Sequence, residues 1–579
     1  MPASSASQRL NDVLQKFSYK KESLVETGTW NRYRAKLPSG LPINFTPLNP
    51  VSFLLKAAQT VPNKIALEYP ERGRKWTFGE WADRIGYLVY ALLDSGLQRG
   101  DVVAVLSPNT AMIADCLQAV PAARCIVNTI NNRLTKDEVK YILDHSGAKM
   151  LFIDSEFAHL SQVASIPTII CKGEEGDEYE QFLSRGRQIY EKNNQFWGGI
   201  ELEKDENAGM ALCYTSGTTG RPKGCLTTFR GSYLAALSGA FENRLNSDSR
   251  LLWILPMFHC AGWCFGWSSA ATMATQVCLR GVGDYTEIWN QLRNGITHYC
   301  GAPTVHLGIV NHPKAQRLST PVKCFVAGAA PTPTLIKGLN SLNIDVIAVY
   351  GLSETYGPCT RNYHDIVAKG SNAQNDEESE YRSKARQGKA FLNADEVLVV
   401  NQTDGGGEKE HEVPWDGETN GEICMRGNIV MKEYFKDPKA TAEAFRGGYF
   451  HSGDIAVRMP DGTISITDRS KDIIISGGEN ASSLKIEAEI AAHPDVAEVA
   501  VIGKKDEKFG ERPMAFVILK GNGESKWNNK EDAFMSELQE FCRNRLPGFA
   551  LPRWLRIVKE LPKTSTGKVQ KNVLRKTVN

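Results

Sequence analysis

Residues 102–106, Val-Val-Ala-Val-Leu, form an unbroken apolar run closed by Pro108-Asn109. A strand that is apolar at every position leaves no side for water, so both faces of its sheet must be covered. The flanking pattern supplies the covers. Thr77 and Glu80 make a capping-box pair, and Trp81, Ile85, Leu88 and Leu92 then recur at helical spacing. Residues 111–117 read as a second helix and Met150-Leu151-Phe152-Ile153 as a second buried strand. Strands that alternate with helices predict an α/β fold with a largely parallel sheet.

The chain has 579 residues, enough for roughly two to four structural units. The last stretch reads as a unit of its own. Leu484, Ala488, Ala491 and Ala492 suit one helix face, 496–502 and 514–519 read as strands, and 534–545 as a helix. The expected organisation is an N-terminal arm over 1–42, a large domain of α/β subdomains over 43–470, and a small, mobile α+β domain over 471–579. Polar segments at 172–194, 371–386 and 404–412 read as solvated loops.

Charge and cysteine usage exclude several classes. The net charge of +2 gives no electrostatic case for nucleic acid or an anionic membrane surface. The 13 cysteines form no matched CxxC pairs, so they read as reduced, buried thiols rather than a zinc site. Residues 251–279 carry no Asp, Glu, Lys or Arg. Pro256, His259, Gly262 and several hydroxyl residues make this a buried strand, turn and helix rather than a membrane span. Its rings Trp263, Phe265 and Trp267 suit either an apolar pocket wall or core. Residues 1–10 carry no apolar signal run and the chain ends Thr577-Val578-Asn579, so the expected compartment is the cytoplasm.

One loop carries chemistry. Residues 214–224 read YTSGTTGRPKG. Gly217, Gly220 and Gly224 let another group approach the backbone, consecutive N–H groups form an anion-binding nest, and Thr215, Ser216, Thr218, Thr219 and Lys223 add donors. It is no Walker loop, because Pro222 stands where that pattern requires glycine. On composition alone it is either a polyphosphate loop or a flexible surface loop.

The loop resembles the phosphate-binding loop of the adenylate-forming superfamily, which includes acyl-CoA synthetases, peptide-synthetase adenylation domains and firefly-type luciferases. Further motifs follow in family order from about residue 60 onward. Met257-Phe258-His259 resembles the aromatic-His element at the acyl pocket, and Gly328-Ala329-Ala330-Pro331 the adenine-side turn. Tyr350-Gly351-Leu352-Ser353-Glu354-Thr355 resembles the YGxTE motif, with Ser353 in the usual Thr position, and His451-Ser452-Gly453-Asp454 the ribose motif. Arg469-Ser470-Lys471-Asp472 and Ser476-Gly477-Gly478-Glu479-Asn480 resemble the hinge and its glycine loop, and the 562–568 stretch ending in Gly567-Lys568 the terminal lysine motif. Cys225, Ala329 and Ala481 depart from the pattern without removing a reactive group.

The resemblance implies ATP-dependent activation of a carboxylic acid to acyl-AMP, then transfer to CoA, with ATP, Mg2+ and CoA as cofactors. The nearest branch is that of medium-chain and aryl acyl-CoA ligases; transfer to a separate carrier protein's phosphopantetheine thiol is the alternative acceptor. Lys568 is implied to bridge the carboxylate and α-phosphate, Thr355 to touch the α-phosphate, and His259 to gate the acyl pocket. Glu354 and Thr215 are the implied Mg2+ partners. The 215–220 loop with Lys223 is implied to hold phosphates, Gly328, Ala329, Ala330, Tyr350 and Gly351 the adenine side, and Asp454 and Arg469 the ribose. Lys471 falls at the hinge, with Gly477 and Gly478 along the thiol path. Two anions must meet in the first step, so cations and backbone donors have to offset their repulsion.

Overall fold

A computed structural model describes residues 29–215, 221–367, 377–401, 412–469, 471–477, 479–527, 529–564 and 568–578. The buried run Val102–Leu106 is an interior strand of a seven-stranded sheet, flanked by Ile126–Ile130 and Met150–Asp154, all parallel. The far edge of this sheet is antiparallel: Gly209–Thr215 pairs with Lys223–Thr228, and that strand with Glu433–Tyr434. A nine-stranded sheet lies beside it. Its middle strands, from Ile344–Leu352 across to Ile65–Tyr69, are parallel, and both edges are antiparallel. A four-stranded antiparallel sheet ends at Ile464–Arg469.

The next sheet begins at Ile474–Ser476. It belongs to a separate five-stranded sheet built on the long antiparallel pair Val496–Asp506 and Gly510–Leu519. This terminal unit has its own core, where Ile486 and Ile490 pack with Val501, Val517, Phe534 and Leu538. The helix expected here is present as Ser483–Ala491, but its buried face is Ser483, Ile486 and Ile490. Ala488 is exposed. The two isoleucines bury more apolar area than alanines do, and this turned the helix away from the expected face. The terminal unit meets the large domain across a cavity of about 420 Å³ lined by Tyr285, Thr304, Asn311, Glu498 and Lys563.

The helix Phe78–Asp94 starts as expected. Thr77 Oγ1 accepts from the Glu80 N–H at 3.2 Å, and Glu80 Oε2 from the Thr77 N–H at 2.8 Å. The 172–194 segment is a correction. It contains the helix Glu178–Glu191, which buries Tyr179, Phe182, Leu183, Gly186 and Tyr190 against Phe78–Asp94. The apolar residues lie at 1, 4, 5 and 12 along a charged segment, so the helical stripe is diluted by its polar face. Gly186 is required, since a Cβ there would lie 1.8 Å from the Tyr87 carbonyl oxygen. Within 371–386, Glu377–Lys384 is a helix with no buried residues.

The uncharged 251–279 segment forms the strand Arg250–Trp253, the short helices Cys260–Trp263 and Phe265–Ala271, and the strand Thr275–Cys278. Among the described residues no helix is long and apolar enough to cross a membrane. Phe265 and Trp267 are core residues, each 1% exposed, and Phe265 meets Phe325 edge-on. All 13 cysteines are buried, and none is in a disulfide.

Candidate active site

The site gathers where sheet edges, strand ends and the terminal unit converge. The phosphate-loop candidate connects Gly209–Thr215 to Lys223–Thr228, with Thr215 opposite Lys223 and Tyr214 opposite Gly224. Ser216, Gly217, Thr218, Thr219 and Gly220 lie outside the described residues. The strand end before them is anchored: Tyr214 OH lies 2.7 Å from His145 Nδ1. The strand after them begins at Lys223, whose ammonium sits 4.9 Å over the Tyr434 ring.

Tyr434 links this loop to the next motif, because its hydroxyl donates to Glu354 Oε1 at 2.8 Å. Glu354 follows the end of the Ile344–Leu352 strand and is 9% exposed. Burial raises its carboxyl above the usual range, opposed by the Tyr434 hydrogen bond. A buried carboxylate beside a lysine-bearing loop is a hard-oxygen donor suited to a divalent cation. Gly351 is dictated sterically, since a Cβ would lie 1.9 Å from the Gly357 carbonyl oxygen.

Thr355 does not present its hydroxyl to this space. It is 1% exposed, accepts from the Leu352 N–H at 2.8 Å and donates to the Gly357 carbonyl at 2.7 Å. One hydroxyl proton serves one strong acceptor, and here the turn uses it. Ser353 is only partly buried. Its Oγ lies 3.1 Å from Cys260 Sγ, and its carbonyl accepts from the Cys225 thiol at 3.3 Å. Of the two hydroxyls, that of Ser353 is therefore the less buried and the one that the turn leaves unused.

Asp454 lies on the strand Phe450–Arg458, in register with Arg469 on the neighbouring strand. Arg469 Nε approaches Asp454 Oδ1 at 3.2 Å, and Tyr350 OH donates to Oδ2 at 2.9 Å. The turn before Asp454 is held from behind by a residue that no motif in the sequence marked. Glu422 accepts from the Gly453 N–H at 2.9 Å, meets His451 Nδ1 at 2.9 Å and pairs with Arg446 at 2.9 Å. Glu422, Cys424 and His451 have metal-ligand spacing, but these hydrogen bonds already occupy the carboxylate.

Lys568 comes to the same place from the terminal unit. Its charged neighbours are Arg469, Asp454, Asp472 and Lys471. Burial first, then Arg469 and Lys471, push its amine down to about 7 against the pull of Asp454 and Asp472. Its loop is pinned locally: the Lys568 N–H donates to Thr564 Oγ1 at 3.1 Å, and its carbonyl accepts from the Thr564 N–H at 2.7 Å.

The expected acyl side holds His259 and the turn after it. Burial pushes the His259 imidazole down to about 4, so it is neutral at physiological pH. The Phe258 carbonyl before it accepts from Thr129 Oγ1 at 2.8 Å. Cys260 and Cys264 have positive φ, at 47° and 61°, which concentrates backbone strain beside His259, while Gly262 takes φ 62° without that cost. The side chain of Trp263 lies outside the described residues. Gly328, Ala329 and Ala330 form an exposed turn, with Gly328 at φ 88°. On the expected thiol-path side, Gly477 has φ 67° and would bring a Cβ to 3.0 Å from Phe509; Gly478 lies outside the described residues.

Comparison with known proteins shows the family. The model of the AMP-binding enzyme family matches residues 54–435, and that of the AMP-binding enzyme C-terminal domain matches 485–568. An acetate–CoA ligase of Humulus lupulus is 39% identical over 563 residues, covering 92% of this chain and 95% of that protein. A peroxisomal benzoate–CoA ligase of Arabidopsis thaliana is 35% identical over 561 residues, covering 92% and 93%. The crystal structure of ATP-bound MatB from Rhodopseudomonas palustris superposes with a TM-score of 0.77 at 24% identity, over 92% of this chain and 99% of that one, a likeness of fold. Two-domain architecture, ordered motifs and near full-length relatives agree that the chain belongs to the AMP-binding enzyme family and is an acid–thiol ligase, an AMP-forming acyl-CoA synthetase.

Proposed function

We propose that the chain activates a medium-chain fatty or aryl monocarboxylic acid with MgATP and passes the acyl group to free CoA. The carboxylate oxygen bonds to the α-phosphorus and pyrophosphate leaves, giving acyl-AMP. The CoA sulfur then bonds to the acyl carbon, giving acyl-CoA, and AMP leaves. The observation that carries this reading is Lys568, set beside Asp454 and Arg469 across the boundary between two units. A cation brought there from a separate unit suits the first step, where carboxylate and triphosphate repel each other.

The roles follow from the chemistry of each group. Asp454, oriented by Tyr350 and Arg469, accepts from the ribose hydroxyls. Glu354 and the Thr215 hydroxyl have the hard oxygens that Mg2+ takes, and the ion would neutralise the departing pyrophosphate. Ser353 takes the α-phosphate contact expected of Thr355. Neutral His259 flanks the acyl carboxylate without adding charge. A second carboxylate on the acid would find no cation along 251–279, which favours monocarboxylates; the acetate and benzoate of the relatives' names are of that kind. The cytoplasmic placement expected from the sequence stands beside a relative named peroxisomal, and cell fractionation separates the two.

The test is acid-dependent pyrophosphate release over a panel of monocarboxylic and dicarboxylic acids, with thioester formation followed on free CoA. Release with monocarboxylates and thioester on CoA is expected. Release driven best by dicarboxylates, or thioester only on a carrier protein, would overturn the assignment. Lys568→Ala is expected to lose acyl-AMP formation and to keep thioester formation from supplied acyl-AMP.

A further inference from the structure

Lys568 reaches the site only while the terminal unit holds one orientation, and a buried carboxylate on the other side of the hinge is tied to that unit. Asp468 lies on the last strand of the four-stranded sheet, three residues before Lys471, and is 1% exposed. Its Oδ2 accepts from the backbone N–H of Ser483 at 2.6 Å and from the Ser483 hydroxyl at 2.7 Å. Its Oδ1 accepts from the Arg469 N–H at 2.7 Å. Ser483 opens the helix Ser483–Ala491 of the terminal unit, and the Ser482 hydroxyl before it donates to the Thr467 carbonyl.

The same cluster holds the segment that carries Lys568. Lys571, three residues on, donates to Ser483 Oγ at 2.6 Å and pairs with Glu487 at 2.8 Å. Arg575, one turn further, pairs with Asp472 at 2.8 Å and donates to the Lys471 carbonyl at 3.3 Å. Asp468 and Thr467 precede the hinge; Ser482, Ser483, Glu487, Lys571 and Arg575 follow it. A rotation about Lys471 must therefore break the Asp468–Ser483 hydrogen bonds, while the Lys571–Glu487 pair travels intact.

We propose that Asp468 is a positioning residue for the acyl-AMP step, a latch that holds the terminal unit by the start of its first long helix and so keeps Lys568 beside Asp454. Lys571 is its partner on the mobile side, orienting the Ser483 hydroxyl toward the carboxylate. The inference rests on the two-step reading above. Two hydrogen bonds to one buried carboxylate are enough to shift a two-state orientation about tenfold or more.

The test compares acid-dependent ATP–pyrophosphate exchange with thioester formation from supplied acyl-AMP and CoA, in the full-length chain. Asp468→Asn places an amide against two donors and is expected to lower exchange about tenfold while thioester formation stays within about twofold. Lys571→Met is expected to lower exchange in the same way, and Lys571→Arg to restore it. If Asp468→Asn fails to fold, Ser483→Ala carries the test, with an expected exchange loss of about threefold. Equal loss of both steps in folded variants, or exchange unchanged, would overturn the latch. Lys568→Ala run alongside separates the two ideas: if it splits the steps and the latch variants do not, the latch alone fails; if it does not split them, the two-step reading fails and takes the latch with it.

Discussion

Binding at the site should be coupled to proton uptake by Lys568, in an amount that the local electrostatics fix. Burial and the Arg469 and Lys471 charges hold the ligand-free amine at about 7, far below the ordinary lysine value. At pH 8 such a group carries a proton in only about one molecule in eleven. An anion delivered next to it favours the ammonium form and returns the group toward its ordinary value. Uptake on binding is then about 0.9 proton at pH 8, about 0.5 at pH 7 and about 0.1 at pH 6. The sign follows from the direction of the shift: a depressed amine is short of a proton between pH 7 and its ordinary value, so binding consumes protons there.

Titration calorimetry of a non-reactive sulfamoyl mimic of the acyl-adenylate, in buffers of different ionisation enthalpy, reads this number as a slope. Lys568→Met should bring the pH 8 slope close to zero. An equal slope in that variant, or uptake that grows toward low pH, would refute the reasoning. The same shift sets a stability trend. The unfolded chain binds the Lys568 proton more readily than the folded one between about pH 7 and the ordinary value, so this group's destabilisation is complete below about 7 and fades as pH rises. Thermal melts should therefore show the advantage of Lys568→Met over the unmodified chain shrinking between pH 7 and pH 10.

Other substitutions probe separate links. Lys471→Pro removes rotation at the expected hinge; thioester formation from supplied acyl-AMP should fall at least about tenfold while pyrophosphate exchange changes little, as single-turnover assays of the two steps would show. Gly351→Ala forces a Cβ against the Gly357 carbonyl oxygen at 1.9 Å and should cost about 3 kcal/mol or more in denaturant melts. Tyr434→Phe removes the hydroxyl that orients Glu354; the Mg2+ concentration for half-maximal activity should rise about three- to tenfold.

The hydrogen-bond geometry also shows how far a linear motif reaches. Tyr350, Glu354, Asp454, Arg469 and Lys568 were legible because each stands in a short stretch whose glycines and hydroxyls mark a turn. Glu422 and Tyr434 were not, since each acts by reaching from a different strand to a motif that it does not belong to. The choice between Ser353 and Thr355 was likewise invisible. Both carry a hydroxyl, and only the turn decides which one is spent on the Gly357 carbonyl.

What the sequence determined by itself was local: a parallel α/β core from the fully apolar strand and its amphipathic neighbours, a separate terminal unit, and motifs whose chemistry required two anions to be brought together. Tertiary structure alone decided which far-apart groups meet. The helix Glu178–Glu191 found its partner only through Gly186's close approach to Tyr87. Phe265 and Trp267 became core because Phe325 and its neighbours cover them. Asp468 acquired a role only when Ser483 and Lys571, 15 and 103 positions along the chain, were folded onto it. Periodicity and turn chemistry are properties of adjacent residues, whereas hydrogen-bond satisfaction and burial are properties of the packed whole.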